Sequence, residues 1–205
     1  YDHHQDHLIE ILAECKRAGN PDLVYKFAST SKITFPGSGI AAIATSPNNM
    51  EDFLTYLRHQ TIGHDKVNQL RHVRFFKDIH GMVEHMRKHA DIIRPKFEAV
   101  EAILEKDLEG LGIGSWAKPL GGYFILFDSM PGCAKDIVAR AKKAGVTMTG
   151  AGATWPYGND PQDSNIRIAP TYPCLSDLQT AMKIFTLCVR ISGIKKLLAD
   201  KHHVV

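Results

Sequence analysis

The chain has 205 residues, of which 44% are hydrophobic and 23% charged, and its formal net charge is +3 at pH 7. This composition is that of an ordinary globular protein. The small net charge, without a clustered Lys/Arg face, argues against a nucleic-acid partner. Apolar runs extend over only a few residues, which argues against a membrane-spanning helix.

The N-terminal residues and the cysteines bear on the cellular compartment of the protein. Residues 1–6 carry neither the basic start nor the apolar core of a signal peptide. The four cysteines have no Cys-x-x-Cys spacing, so we expect reduced thiols in a cytoplasmic protein. Because the sequence begins with Tyr1 rather than Met, we expect it to be a piece of a longer protein.

The first half of the sequence predicts helices around two short strands. The predicted helices cover residues 6–18, 47–61, 65–77 and 79–111, and the predicted buried strands cover 23–28 and 39–45. Asn48 or Asn49 is the expected cap of the second helix. Pro95 predicts a kink or break in the last helix, since the residue before a proline is disfavoured in the helical conformation. Two strands are too few for an independent covered sheet, so this block is interpreted as part of a larger domain.

The second half predicts a further alternation of strands and helices. The predicted strands cover 121–127, 146–148 and 165–169, and the predicted helices cover 132–144 and 176–194. Alternating strands and helices favour an α/β fold class.

Lys32 is the main candidate for a reactive residue. It follows the first predicted strand and lies in a loop of small hydroxyl residues that continues into a Pro-Gly-Ser-Gly turn. A lysine delivered there from a strand end suits an amine that attacks a carbonyl group. Ser29 and Ser31 place hydroxyl donors beside it. The alternatives are a structural lysine and ordinary turn chemistry.

The segment Ser29-Thr30-Ser31-Lys32 resembles the Ser-x-Ser-Lys segment of fold-type I aminotransferases, which depend on pyridoxal 5′-phosphate (PLP). Three later segments extend the resemblance, so that it covers nearly the whole chain from about Leu8 to Ile194. They are Gly121-Gly122-Tyr123-Phe124, Ala144-Gly145-Val146 with the following Gly150-Ala151-Gly152, and Asn165-Ile166-Arg167-Ile168-Ala169-Pro170. The amino-acid sequence around Lys32 is most similar to that of the atypical aspartate aminotransferase or MocR-type branch.

The resemblance implies a fold and a set of site residues. Residues 1–84 would form the C-terminal part of the large PLP-binding domain, at the end of its mixed sheet. Residues 85–205 would form the long interdomain helix and a small α+β domain. Lys32 would be the catalytic residue and would hold PLP as a Schiff base, with Ser29 and Ser31 near the phosphate. Arg167 would bind the substrate carboxylate, and no metal is implied.

Alternation along the last predicted strand places Arg167 on the face opposite Ile166 and Ile168. A guanidinium is the natural bidentate partner of a carboxylate, and the alternative is an exposed strand arginine. Tyr123 could line the cleft, but we interpret it as a strand-packing aromatic.

The sequence departs from the common family pattern in two respects. Most members have an arginine for the cofactor phosphate eight residues after the lysine, where this sequence has Ile40; the atypical branch shares that substitution. The family's partner for the pyridine nitrogen and its ring-stacking aromatic lie upstream of the lysine, and only 31 residues precede Lys32. We therefore expect those parts in a missing N-terminal portion.

The implied activity is PLP-dependent transfer of an amino group from an amino acid, most simply aspartate, to a 2-oxo acid such as 2-oxoglutarate. The full-length protein would be a homodimer, and this fragment alone would be inactive. Alternatives are aminoadipate or alanine-glyoxylate transamination, a β-elimination, or a MocR-type PLP-sensing transcriptional regulator.

The histidines are interpreted as structural. His85 and His89 have an i,i+4 spacing, but no Glu lies between them as in metalloproteases. Their neighbours Met86, Arg87 and Lys88 favour a solvated helix face. His3, His4 and His7 are interpreted as a polar helix start, and Trp155-Pro156-Tyr157-Gly158 as a turn.

Overall fold

The computed structural model describes residues 7–35 and 37–202. His3 and His4 of the predicted helix start, and Pro36 of the predicted turn, lie outside these residues. The chain divides into two compact units, the first ending at Lys88 and the second beginning at His89. This boundary falls inside helix α4 (Ile79–Leu108), as does the domain boundary predicted after residue 84.

The first unit contains short helices and one pair of strands. Its elements are α1 (Ile11–Arg17), a 3-10 turn (Pro21–Leu23), β1 (Lys26–Ser29), β2 (Ala41–Ala44), α2 (Pro47–Gln60), α3 (Lys66–Phe76) and the start of α4. Helix α1 is shorter than predicted because the Glu10 carboxylate accepts a hydrogen bond from Ala13 N–H at 3.0 Å and caps the helix there. His7 therefore precedes the helix.

Helix α2 begins differently from the prediction. Its cap is Ser46, whose extended backbone leads into Pro47 and whose hydroxyl accepts from Asn49 N–H at 3.2 Å. The predicted caps Asn48 and Asn49 both lie within the helix. Proline fits the first helical position because its missing N–H has no partner there, so the cap falls on the preceding residue.

Strands β1 and β2 form an antiparallel pair, with Lys26 opposite Ala44 and Ser29 opposite Ala41. The sequence predicted buried strands, whereas all four residues of β1 are exposed. The reason is the lack of neighbours, since among the described residues these two strands pair only with each other. Their apolar side chains, such as Phe27, have no second layer to cover them.

The second unit is a three-stranded antiparallel sheet with helices. Its strands β3 (Gly114–Trp116), β4 (Ile125–Ser129) and β5 (Asn165–Ile168) lie in the order β3-β4-β5. Its helices are the second part of α4, α5 (Ala134–Lys143) and α6 (Leu175–His202), with a 3-10 turn at Pro156–Gly158. The structure adds β3, which was not predicted, and has no strand over 146–148. The strand predicted over 121–127 begins only at Ile125, because the left-handed backbone of Gly122, with φ of 87°, does not continue an extended strand. Tyr123 therefore precedes β4, and its interpretation as a strand-packing aromatic is wrong.

The core of the second unit is apolar and well buried. Its largest fully buried side chains come from α4, the sheet, α5 and α6, and include Phe97, Val100, Leu104, Leu108, Ile125, Phe127, Ile137, Ile166, Phe185 and Val189. Each contributes about 1.5–3 kcal/mol when fully buried. Helix α4 continues through Pro95 without the predicted break, because the turns that follow are held in this core.

Three further observations concern the chemistry of the whole chain. All four cysteines lie in the described ranges and are unpaired, and burial raises the pKa of the Cys133 and Cys188 thiols. Within residues 7–35 and 37–202, no helix has the length and apolarity needed to cross a membrane. In the same ranges, no three His, Cys, Asp or Glu side chains form a group that could hold a metal ion.

Candidate cofactor and substrate sites

Lys32 lies in a tight turn directly after β1. The turn is closed by two hydrogen bonds to the Thr30 carbonyl, from the N–H groups of Ile33 and Thr34, both at 2.8 Å. Thr30 N–H also donates to the Ile40 carbonyl at 2.9 Å, which ties the turn to the residue before β2. Lys32 is exposed, so the turn presents its side chain at the surface of the first unit.

The two predicted serines lie beside Lys32. Their hydroxyl oxygens are 2.6 Å apart, and Ser31 N–H donates to Ser29 Oγ at 3.1 Å. Gly39 lies close to Ser31: a Cβ added to Gly39 would lie 3.1 Å from Ser31 Oγ and 3.2 Å from Ser31 N. Hydroxyl donors next to a lysine amine fit a ligand that carries both a phosphate and an aldehyde, as PLP does.

A buried polar group supports this turn from α3. His72 and Thr30 are each 8% exposed, and His72 Nε2 lies 3.1 Å from Thr30 Oγ1. Thr34 Oγ1 lies 3.3 Å from the same nitrogen. The sequence analysis did not single out any of these three residues.

His85 also supports the turn, contrary to its interpretation as part of a solvated helix face. Its Nε2 donates to the Ile33 carbonyl at 2.9 Å, and its ring packs edge-on against Phe75 and Phe76. The adjacent residues Met86, Arg87 and Lys88 are indeed exposed. Helical periodicity nevertheless turns His85 towards the same side as Met82, three residues earlier.

The fourth predicted site residue, Arg167, belongs to the second unit. It lies on β5 opposite Leu126 of β4, between the buried Ile166 and Ile168. Arg167 itself is half-buried. As the alternation predicted, its side chain leaves the sheet on the face away from the core.

The guanidinium of Arg167 is only partly satisfied. It stacks over the Phe124 ring, with Cζ 4.3 Å from the ring centroid, and its Nη2 is 3.5 Å from Thr149 Oγ1, which is long for a hydrogen bond. Within the described ranges, its Nε is buried and has no hydrogen-bond partner. A half-buried guanidinium with an unused donor and one stacked face fits a carboxylate ligand.

The start of β5 is fixed by Asp160, another residue whose role was not predicted from the sequence. Its buried carboxylate accepts hydrogen bonds from the N–H groups of Asn165 and Ser164, both at 2.8 Å, and of Gln162 at 2.9 Å. The Asn165 side chain in turn donates to Asp128 at 2.8 Å. This loop therefore sets the position of the strand that carries Arg167.

We expect acid to weaken this loop. Hydrogen bonds from backbone N–H groups, that of Asn165 foremost, hold the pKa of the Asp160 carboxyl below its ordinary value of 3.8. A carboxylate with a lowered pKa contributes stability above its unfolded pKa, and that contribution is lost as pH falls through the folded pKa. Asp160→Asn should therefore lower the melting temperature of the full-length protein at neutral pH, and this difference from wild type should shrink below about pH 4.

The exposed Asp177 provides the control, since Asp177→Asn should give a smaller and less pH-dependent change. Melting curves recorded by circular dichroism between acid and neutral pH measure all three proteins. Equal melting temperatures for wild type and Asp160→Asn at neutral pH would contradict this account of the loop.

Comparison with known proteins supplies the family. Residues 2–201 match the model of the family described as aspartate amino-transferase. The chain belongs to this family. The resemblance inferred from the motifs around Lys32 and Arg167 is therefore confirmed at the level of the family.

Individual members of the aspartate amino-transferase family are similar over most of the chain. The chain is 46% identical over 193 residues to a protein of Mycolicibacterium smegmatis that is provisionally named an aminotransferase. It is 40% identical over 186 residues to the aspartate aminotransferase of Corynebacterium glutamicum. These matches cover 94% and 91% of this chain but only 45% and 43% of the two relatives. The chain thus spans less than half the length of these relatives.

A solved structure of the family supports the fold. The crystal structure of an aspartate transaminase from Corynebacterium glutamicum superposes with a TM-score of 0.89 at 39% identity, covering 94% of this chain and 46% of that one. The similarity runs over the C-terminal half of such structures. The predicted α/β fold class, as the C-terminal part of a fold-type I transferase, is confirmed.

The aspartate amino-transferase assignment makes Ile40 informative. Where most of the family would have an arginine, Ile40 uses its backbone, since its N–H donates to Thr30 Oγ1 at 2.9 Å. Its side chain lines a groove of about 410 Å³ with Phe27, Phe53 and Leu57. Position 40 therefore braces the Lys32 turn through the main chain.

Proposed function

We propose that the longer protein to which this chain belongs is a PLP-dependent aminotransferase. It would act in the cytoplasm as a homodimer and transfer the amino group of aspartate to 2-oxoglutarate. The observation that carries the proposal is the family match over residues 2–201, which includes both Lys32 and Arg167. The 40% identity to an aspartate aminotransferase supports the choice of amino donor.

Three residues of the first unit would hold the cofactor. Lys32 would bind it covalently through Nζ, and the Ser29 and Ser31 hydroxyls, 2.6 Å apart, would donate to its phosphate. PLP, when bound, supplies the electron sink that makes the Cα–H bond of an amino acid acidic. Once the substrate amine has displaced Lys32 from the cofactor, the freed Nζ would accept the Cα proton, because the turn presents this amine as a base on a flexible stem.

Arg167 would orient the substrate. Its unpaired Nε–H and its weakly engaged Nη2–H are donors that the substrate carboxylate can satisfy as a pair. The Phe124 ring under the guanidinium restricts its tilt. A carboxylate held by two parallel hydrogen bonds fixes the direction of the Cα–H bond, which proton transfer requires.

Transamination by the full-length protein tests the proposal. The protein is supplied with PLP, 2-oxoglutarate and one amino donor at a time, and the glutamate formed from 2-oxoglutarate is quantified by chromatography for every donor. Oxaloacetate formed from aspartate is also followed through NADH consumption by malate dehydrogenase. Preference for aspartate supports the proposal, while preference for alanine or aminoadipate would replace the donor. Absence of turnover with every donor, together with DNA binding by an upstream segment, would favour a regulator.

The 205 residues alone are expected to bind PLP weakly and to catalyse no transamination. Strands β1 and β2 have open edges and an exposed apolar face, so the Lys32 turn lacks the support that a complete sheet provides. The measurement compares this chain with the full-length protein at equal concentration, by PLP titration and by the same assay. Measurable turnover by the 205 residues alone would contradict this expectation.

A further inference from the structure

We propose that His72 is a positioning residue for Lys32, holding the turn in one conformation through Thr30. The inference rests on the proposed function in one respect, that Lys32 is the lysine that binds PLP. It concerns a side chain on α3, far from Lys32 in the sequence.

The hydrogen bonds of His72 determine its tautomer. Nδ1 lies 2.9 Å from the carbonyl oxygen of Asn68, one helical turn earlier. A carbonyl oxygen can only accept, so Nδ1 carries the proton, and Nε2 of the neutral ring is an acceptor. The α3 backbone thus orients the ring with its lone pair towards the Lys32 turn.

Thr30 donates a hydrogen bond to this nitrogen and connects α3 to the two strands. Its Oγ1 accepts from Ile40 N–H at 2.9 Å, so its own hydroxyl proton is available for His72 Nε2 at 3.1 Å. One side chain therefore joins the end of β1, the residue before β2, and α3. Because Thr30 and His72 are both buried, water does not compete for these hydrogen bonds.

Thr34 closes the other side of the turn. Its hydroxyl donates to the Thr30 carbonyl at 3.1 Å, so its approach to His72 Nε2 at 3.3 Å is a packing contact and not a second hydrogen bond of the ring. Lys32 is the middle residue between these two threonines, and the carbonyl of the next residue, Ile33, is held by His85. The backbone of Lys32 is thus restrained on both sides.

This restraint matters for the chemistry because the Lys32 amine must reach one carbon atom repeatedly. Displacement of a catalytic group by about 1 Å can cost about a hundredfold in rate. A histidine that merely filled space would affect folding alone. A positioning histidine affects the reactivity of Lys32 even when the protein is folded.

Matched substitutions in the full-length protein separate these roles. In His72→Gln the side-chain amide oxygen can take the place of Nε2 and accept from Thr30. In His72→Asn the shorter amide can restore only the hydrogen bond to the Asn68 carbonyl. Thr30→Val removes the contact with His72 from the other side while keeping the side-chain volume, and it also removes the acceptor of Ile40 N–H. His80→Gln on the exposed start of α4 is the control.

Each variant is measured in three ways. The fraction of Lys32 trapped by borohydride at a fixed PLP concentration reports its reactivity, steady-state kinetics separate kcat from KM, and thermal melting reports folding. We expect His72→Asn and Thr30→Val to trap less Lys32 and to lose about tenfold to a hundredfold in kcat. The KM for the amino acid should change little, and His72→Gln should stay much closer to wild type.

Three outcomes would overturn the inference. The first is an equal loss in His72→Gln and His72→Asn, and the second is lower melting temperatures with unchanged trapping and kcat. The third applies if His72→Asn does not fold: unchanged trapping and unchanged kcat in Thr30→Val would then overturn the inference. A wild-type protein that gives no adduct on Lys32 would overturn the proposed function as well, whereas wild-type trapping with unaffected variants removes only the role of His72.

Discussion

Replacing Lys32 with alanine in the full-length protein is expected to abolish covalent attachment of PLP and to lower transamination by about a thousandfold or more. The change deletes both the amine that binds the cofactor and the base that moves the Cα proton. Borohydride reduction followed by peptide mass spectrometry locates the adduct, and the coupled assay measures the rate. Both losses should occur without unfolding, since Lys32 is exposed.

The first unit offers a matched control for this experiment. Lys26 lies on the same strand that leads to Lys32, is also exposed, and forms an ion pair with Glu10 at 2.5 Å. Lys26→Arg should retain the adduct on Lys32 and nearly all the activity, because arginine keeps the positive charge and an exposed ion pair contributes little to stability. An adduct mapped to any lysine other than Lys32 in the wild-type protein would refute the assignment.

Arg167→Lys is expected to weaken amino-acid and oxo-acid substrates together while leaving the adduct on Lys32 intact. Lysine keeps the charge but cannot offer two parallel donors, and loss of one charge-assisted hydrogen bond costs about 1.5–3 kcal/mol. This corresponds to about tenfold to a hundredfold in kcat/KM. Steady-state kinetics with aspartate and with 2-oxoglutarate measure both values.

Arg190 on α6 provides the comparison for Arg167, as it is an exposed arginine of the same unit. Arg190→Lys should change kcat/KM by less than about a factor of two to three, as surface substitutions usually do. Unchanged specificity constants for both substrates in Arg167→Lys would return that residue to the role of a surface arginine. A loss for the amino acid alone would instead indicate a contact with its side chain.

Those parts of the fold that depend on local pattern were predicted from the sequence. Helices α3 and α5 lie close to their predicted positions because each has apolar residues at helical spacing. Helix α6 begins where it was predicted, but it continues to His202, beyond the predicted end at residue 194. The three-residue strand β3 was missed because so short a run contains no readable alternation. The exposure of β1 could not be predicted either, since its apolar run is that of a buried strand and only its lack of neighbours leaves it uncovered.

In the candidate sites, too, contacts between sequence neighbours were predictable, whereas contacts between distant residues were not. Ser29, Ser31 and Lys32 are neighbours in the sequence, so their proximity was predictable, and alternation alone placed Arg167 on the correct face of β5. The contact between Thr30 and His72 joins residues 42 positions apart, and no local pattern encodes it. His85 was misinterpreted because its neighbours in sequence are solvated, while its neighbours in space are Phe75 and the Ile33 carbonyl.

The close approach of Gly39 to Ser31 limits which residues can occupy position 39. A methyl group at position 39 would meet the main chain of residue 31 at 3.2–3.3 Å as well as its hydroxyl, and main-chain atoms cannot rotate aside as a side chain can. Any larger residue there would have to push the serine, and the lysine that follows it, away from their present places. Residues larger than glycine should therefore be tolerated at position 39 only where the main chain of residue 31 lies a few tenths of an ångström further away.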